Sequence, residues 1–69
     1  MKKEDLMPFL DKIALIVKKD GWRNRGRITK ISEDCVFLET DQETRVIDLD
    51  SIFEIKCYNE NHLGGSQNE

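Results

Sequence analysis

The sequence is short of the residues that build catalytic and metal sites. It contains one histidine and two cysteines. The histidine, His62, lies among polar residues and glycines near the C-terminus, and no nucleophile is flanked by glycines. Cys35 and Cys57 lack the spacing of metal ligands. These shortages predict a protein that is not an enzyme and has no metal or other cofactor.

Long apolar runs are missing as well. No stretch approaches the ~20 apolar residues of a membrane span. The charged residues after Met1 do not lead into the apolar run of a signal peptide. We therefore expect a cytoplasmic protein with reduced, half-buried cysteines. A disulfide between Cys35 and Cys57 is the alternative.

Charge is abundant but segregated. The chain is 36% charged and 38% hydrophobic, which predicts one small domain with a thin core that gains stability by assembling. Residues 12–30 hold seven basic residues against Asp20, a net charge of +6. Residues 33–54 hold eight acidic residues against Arg45, a net charge of −7. Either neighbouring strands of opposite charge stabilise one sheet face, or the two halves form separate functional surfaces.

Apolar spacing predicts a short helix followed by five strands. Leu6, Phe9 and Leu10 recur at helical spacing within residues 3–11. Apolar alternation predicts strands over about residues 12–18, 22–31, 35–40, 44–49 and 52–58. Together these elements make one domain over residues 1–58.

Two further features of the chain concern its turns and its end. Asp20 and Gly21 predict a hairpin turn after the first strand. That strand is apolar on both sides, so we expect the sheet interior to cover one face and the helix the other. Residues 59–69 are rich in polar residues and glycine, and we predict a flexible C-terminal tail.

The second strand contains a built-in bend. Ile28 and Ile31 are three residues apart, so a regular strand would point them to opposite faces. A β-bulge near Thr29 and Lys30 would return both side chains to one interior. Gly26 marks a place where another backbone can approach closely. A strongly bent strand of this kind is typical of a small barrel.

These features resemble the Sm family. The run KKDGWRNRGRITKIS is similar to the first Sm signature, with its two glycines and two apolar residues at Gly21, Gly26, Ile28 and Ile31. The run VIDLDSIFEI is similar to the second signature. The resemblance spans residues 4–56 and implies a mainly β fold, in which a short N-terminal α-helix precedes a five-stranded, strongly bent Sm-like or SH3-like barrel.

The resemblance does not extend to the family's RNA pocket. Sm proteins bind uridine-rich RNA through an Asp and a Met-Asn after strand two and an Arg-Gly after strand four. This chain has Ser32, Cys35-Val36 and Asp48-Leu49 at those places. The run from Glu43 to Ile52 also resembles Rho-binding antiterminator proteins, which implies a protein contact through an acidic surface.

A basic segment is the candidate nucleic-acid site. Its members combine an aromatic ring with spaced cations: Trp22, Arg23, Asn24, Arg25, Arg27 and Lys30. Such a set can stack a base and neutralise phosphates of RNA or single-stranded nucleic acid. Alternatively, the arginine stems cover apolar surface and pair with acids of the third strand. The acidic residues of strands three and four are the candidate contact for a protein partner.

Self-assembly is the third candidate role. Strands four and five are the expected sheet edges, and unpaired edges pair readily with another chain. The candidate interface residues of a homo-oligomer are Val46, Ile47, Phe53 and Tyr58. Arg45 and Asp48 are instead consistent with protection of the edge. The sequence therefore predicts a non-enzymatic Sm-like module that assembles and binds nucleic acid, with a protein-docking module or a purely structural subunit as alternatives.

Overall fold

The computed structural model of the protein describes residues 1–57 and has a short helical segment followed by five strands. The α-helix α1 spans Lys3–Leu6, and a 3₁₀ helix follows at Met7–Phe9. The strands are β1 Ile13–Lys18, β2 Arg23–Ile31, β3 Cys35–Glu39, β4 Thr44–Asp48 and β5 Ile52–Cys57, with a second 3₁₀ helix at Leu49–Ser51. The predicted tail, Tyr58 and His62 lie outside the described residues.

The helical segment is shorter than the predicted helix over residues 3–11. Pro8 lies in the first turn of the 3₁₀ helix. Proline has no backbone N–H to donate, so it cannot continue the hydrogen-bond ladder of α1. Leu6 is completely buried and Phe9 packs against the core, whereas Leu10 is exposed.

The strands form a single antiparallel sheet in the order β4-β3-β2-β1-β5. β4 and β5, the expected edge strands, are therefore the two edges of the sheet. The Asp20–Gly21 turn joins β1 to β2, with Gly21 at φ +94° and its N–H donating to the carbonyl of Lys18 at 2.9 Å. Only glycine adopts this φ without a steric penalty, which explains the residue's place in the turn.

The core lies on the concave side of the sheet. Its buried members are Leu6, Ala14, Ile16, Ile28, Val36, Leu38, Ile47, Leu49 and Ile52. Leu6 belongs to the same cluster as Ala14 and Ile16, so α1 packs on the interior side of β1. The expectation that the helix covers the other face of β1 is wrong. There the arginines of β2 flank Ile13, Leu15 and Val17.

Hydrogen bonds fix the position of the helical segment. The N-terminal amino group donates to the carbonyl of Leu49 at 3.1 Å, and Lys3 pairs with Glu33 at 3.4 Å. Glu33 lies in the turn between β2 and β3. The helical segment therefore covers the end of the sheet at which β2 ends and β3 begins. We call the other end of the sheet the rim; β2 and β4 begin there and β3 ends there.

The predicted bulge is present in β2. Ile28 pairs with Leu38 and Lys30 with Phe37, which leaves Thr29 as the extra residue. Ile28 is buried and Ile31 packs against the same core, so the bulge returns both to one side. β5 contains a second bulge, because the shift in its pairing with β1 leaves Phe53 as the extra residue. Ile52 and Ile55 flank that bulge and both face the core.

Gly26 allows β3 to approach β2 closely. A Cβ atom at this position would overlap the carbonyl oxygen of Glu39 and lie 3.1 Å from Cγ of Leu38. The glycine therefore lets Leu38 pack directly beneath the β2 backbone. The close approach predicted from the sequence is confirmed.

Candidate nucleic-acid interface

The arginines of β2 occupy the convex face of the sheet. Strand register places Arg23 opposite Val17, Arg25 opposite Leu15 and Arg27 opposite Ile13. Arg23 and Arg25 are exposed, and Arg27 is half-buried. Alternate residues of a strand share one face, so the three guanidinium groups follow one another along β2.

The bulge at Thr29 adds Lys30 to the same face. In a regular strand, Lys30 would point to the side opposite Arg27. The extra residue reverses the alternation, and Lys30 pairs with Phe37 of the convex face. Its Nζ lies 5.4 Å from the centre of the Phe37 ring, within the range of a cation–π contact. We call Arg23, Arg25, Arg27 and Lys30 the basic stripe.

Trp22 lies at the rim, directly before the basic stripe. Its side chain is 72% exposed, the largest value among the exposed apolar residues of the described chain. The backbone N–H of Trp22 donates to Oδ1 of Asp20 at 3.0 Å, which anchors the turn that presents the indole. An exposed indole beside cations can stack on an unpaired base.

Asn24 does not join the convex face. It pairs with Ile16 of the interior, and its Oδ1 accepts a hydrogen bond from Nη1 of Arg45 on β4. Arg45 also donates from Nε to Glu43. The structure thus separates Asn24 from the arginines next to it in sequence and joins it to Arg45, which the sequence analysis did not include among the site residues.

Part of the basic stripe has acidic or carbonyl partners. Arg27 lies opposite Glu39 in the β2–β3 pairing, and its Nη1 donates to the carbonyl of Asp11. A groove of about 370 Å³ runs beside it. The groove is lined by Ile13, Arg25, Gly26, Arg27, Glu39, Thr40, Asp41 and Gln42. Charges of both signs line this groove, as expected for strands of opposite charge that stabilise one sheet face.

The four candidate residues of the homo-oligomer interface divide into three groups. Val46 on edge strand β4 is 58% exposed, and Phe53 on edge strand β5 is 70% exposed. Ile47 is only 6% exposed because it pairs with Val36 on the core side, so its side chain lies in the core and not at the edge. Tyr58 lies outside the described residues.

The remaining chemistry of residues 1–57 is sparse. Both cysteines are free and half-buried, so the alternative of a Cys35–Cys57 disulfide is wrong. Within this part of the chain, no cluster of histidine, cysteine and acidic side chains is suited to hold a metal ion. None of the described helices has the length and apolar character needed to cross a membrane.

Comparison with solved structures identifies the fold. A 1.55 Å crystal structure of the pleiotropic translational regulator Hfq is similar to this chain with a TM-score of 0.72. The likeness covers 80% of this chain and 86% of the Hfq chain. The chain has an Sm-like fold.

The Sm-like assignment is structural. The sequence identity with Hfq is 16%, so the likeness is one of fold. No protein-family model matches the sequence, and no curated protein matches it. The Sm-like fold predicted from the two signature runs is confirmed, and the bulges at Thr29 and Phe53 lie inside those runs.

Proposed function

We propose that this chain is a non-enzymatic Sm-like module that assembles with copies of itself and binds RNA or other single-stranded nucleic acid. The observation that carries the proposal is the bulge at Thr29. It sets Lys30 on the same convex face as Arg23 and Arg25, and the exposed Trp22 directly precedes these cations in the chain. The chain shares its fold with Hfq, a pleiotropic translational regulator.

The basic stripe suits an extended strand better than a duplex groove. Its cations follow a single β-strand, and a strand rises about 3.3 Å per residue, so neighbouring arginines lie about 6.6 Å apart along it. Cations spaced along a line can track the phosphates of one nucleic-acid chain, and an aromatic ring adds stacking without sequence preference. The net charge of −3 does not oppose this mode, since the cations are concentrated on one face.

Assembly is proposed through the two sheet edges. Within the described residues β4 and β5 pair only on their inner sides, and each carries one exposed apolar residue, Val46 or Phe53. Edge pairing between β4 of one copy and β5 of the next satisfies the unpaired backbone groups. A contact of this head-to-tail kind closes into a ring when the rotation between copies permits it.

The test of binding is a salt titration. Fluorescence anisotropy with a labelled single-stranded RNA of mixed sequence should show affinity that falls steeply with salt, because bound cations release counterions. The double variant Arg23→Ala/Arg25→Ala should make the plot of log affinity against log salt less steep, with a slope smaller in magnitude by about 1.4. Lys2→Ala/Lys3→Ala is the matched control, since it removes two cations at the helical segment, which packs on the interior side of the sheet and not on the face of the stripe.

Three results separate the proposal from its alternatives. No binding by the unaltered protein at low salt would refute the nucleic-acid role. Equal losses in both double variants would show attraction by general charge and not by the stripe. Light scattering that finds an assembly without RNA binding would indicate a purely structural subunit.

A protein-docking module is the second candidate function. It is favoured by the exposed carboxylates of Asp48 and Asp50 at the end of β4. Charge reversal at both positions should abolish recovery of a partner in a pull-down. Recovery that survives the reversal would remove this candidate. For either function we propose a cytoplasmic setting, because both thiols are free.

A further inference from the structure

The convex face of β1 is apolar along its whole length. On the solvent side of an antiparallel sheet, polar residues ordinarily alternate with the core residues of each strand. The three positions of β1 that face away from the core are instead Ile13, Leu15 and Val17, and each is half-buried. The helical segment does not cover them, since it packs on the interior side of the sheet. We call these three residues the apolar row.

Different charges border the apolar row on its two sides. On the β2 side, strand register sets Arg23 and Arg25 directly beside the row, and paired residues of neighbouring strands have Cβ atoms about 5 Å apart. On the β5 side, the row is bordered by Lys56 and Glu54, whose charges cancel. The apolar row therefore has one cationic flank and one neutral flank.

We infer that the apolar row and the arginines beside it form a docking site for an amphipathic helix of a partner protein, apolar along one face and acidic along one flank. The inference does not depend on nucleic-acid binding. β1 is hydrogen-bonded to a strand on each side, so a partner on this face makes its contacts through side chains and not by adding a strand.

The spacing of the row suits a helix. Alternate residues of a strand are about 6.6 Å apart, and successive turns of a helix are about 5.4 Å apart. Three turns can therefore set one apolar side chain against each member of the row, as in other complexes that bind a helix by side chains at i, i+3 or i+4, and i+7. Carboxylates along one flank of that helix then face Arg23 and Arg25, which is the charge complementarity that identifies an acidic partner.

Other occupants match these features less well. A nucleic acid can use the arginines, but a base stacks on aromatic rings and guanidinium planes, and the row has only aliphatic side chains. Residues 59–69 contain a single apolar residue, Leu63, which is too few to cover the row. A second copy that pairs along β4 and β5 leaves β1 in the middle of the sheet, with its convex face uncovered.

The test uses a synthetic helix and the full chain. The probe is a fluorescein-labelled peptide of about 15 residues, a length at which isolated helices begin to form, with leucines along one face and glutamates along one flank. Anisotropy at low salt should show saturable binding. A peptide with lysines in place of the glutamates should bind more weakly by roughly tenfold or more, because like charges then meet at Arg23 and Arg25.

Two kinds of variant separate the apolar contact from the charge. Leu15→Gln should weaken binding of the glutamate peptide roughly fivefold to tenfold, since it removes the central apolar contact. Val17→Gln provides a second test within the row. Met7→Gln is the matched control, because Met7 is 47% exposed on the helical segment, and it should leave peptide affinity unchanged. Arg23→Ala/Arg25→Ala should remove the preference for the glutamate peptide. Circular dichroism spectra that match the unaltered protein confirm that each variant is folded.

The outcomes distinguish this inference from the proposed function. Absence of peptide binding, with RNA binding intact, would overturn the inference and keep the function. Equal affinity for the two peptides, or full affinity in both Leu15→Gln and Val17→Gln, would also overturn it. A loss of RNA affinity in Leu15→Gln as large as the loss of peptide affinity would assign the row to the nucleic-acid surface instead. Light scattering that finds the assembly dissociated by Leu15→Gln would assign the row to a contact between copies, again against the inference.

Discussion

Gly26→Ala is the substitution whose effect the geometry determines most directly. The added Cβ would overlap the carbonyl oxygen of Glu39 and lie 3.1 Å from Cγ of Leu38. Neither neighbour can yield easily, since one is backbone in a paired strand and the other is a completely buried side chain. β3 must therefore move away from β2 at the point where the sheet bends.

The magnitude follows from these two contacts. Overpacking a close-packed interior costs about 1–3 kcal/mol, and a clash with backbone belongs at the upper end. The loss of chain freedom in the unfolded state offsets up to about 1 kcal/mol of this. A net loss of about 2 kcal/mol lowers the midpoint of thermal unfolding by roughly 8–16 °C in a domain of this size. Such a loss is a large share of the ~3–5 kcal/mol that a core of this size supplies.

Circular dichroism during thermal unfolding measures the effect, with Gly21→Ala as the matched control. Gly21 has φ +94° and no atom within 4 Å of the added Cβ, so that variant bears a backbone penalty without a clash. The backbone penalty at Gly21 is about 1–2 kcal/mol. The loss of chain freedom in the unfolded state again offsets up to about 1 kcal/mol of it. All variants are compared at equal protein concentration, because assembly raises apparent stability. A midpoint for Gly26→Ala at or above that of Gly21→Ala would refute the close approach of β3.

Two further predictions concern packing and assembly. Leu6→Ala should reduce the free energy of unfolding by about 2–5 kcal/mol, because Leu6 is completely buried in the core. Met7 is 47% exposed, so Met7→Ala should change the free energy of unfolding by less than about 0.5 kcal/mol. Equal effects of the two substitutions in chemical denaturation would contradict the docking of α1. Val46→Asp or Phe53→Asp should reduce the mass found by light scattering to that of one chain while the circular dichroism spectrum stays unchanged. An assembly that survives both substitutions would exclude these edges as its interface.

The bend and the turns could be predicted from the sequence because they depend on neighbouring residues. Ile28 and Ile31 cannot share an interior in a regular strand, so their spacing alone requires an extra residue between them. Gly26 and the Asp20–Gly21 turn are also local features of backbone conformation. The Sm-like fold was predicted from the resemblance of two runs to the Sm signatures, and that resemblance rests on the same local spacing of glycines and apolar residues.

The candidate site could be predicted only in part. Period-two alternation along a strand puts Arg23, Arg25 and Arg27 on one face, and the structure has this arrangement. The candidate site also included Asn24, which lies between two of these arginines in sequence but points to the opposite side of the strand. Lys30 joins the stripe only because of the bulge, and Val46 and Ile47 looked equivalent until pairing with β3 set one outside and the other inside.

The contacts of Leu6 and Arg45 were decided by the tertiary structure alone. The same apolar side chain of α1 can cover either face of β1, and only the shape of the closed core selects the interior side. Arg45 reaches Asn24, 21 residues away in sequence, because the curvature of the sheet brings β4 toward β2 across β3. By itself, the sequence determined where the backbone turns and bends, because those choices are made among adjacent residues. The tertiary structure decided which distant side chains meet, because register and curvature depend on the packing of the whole sheet.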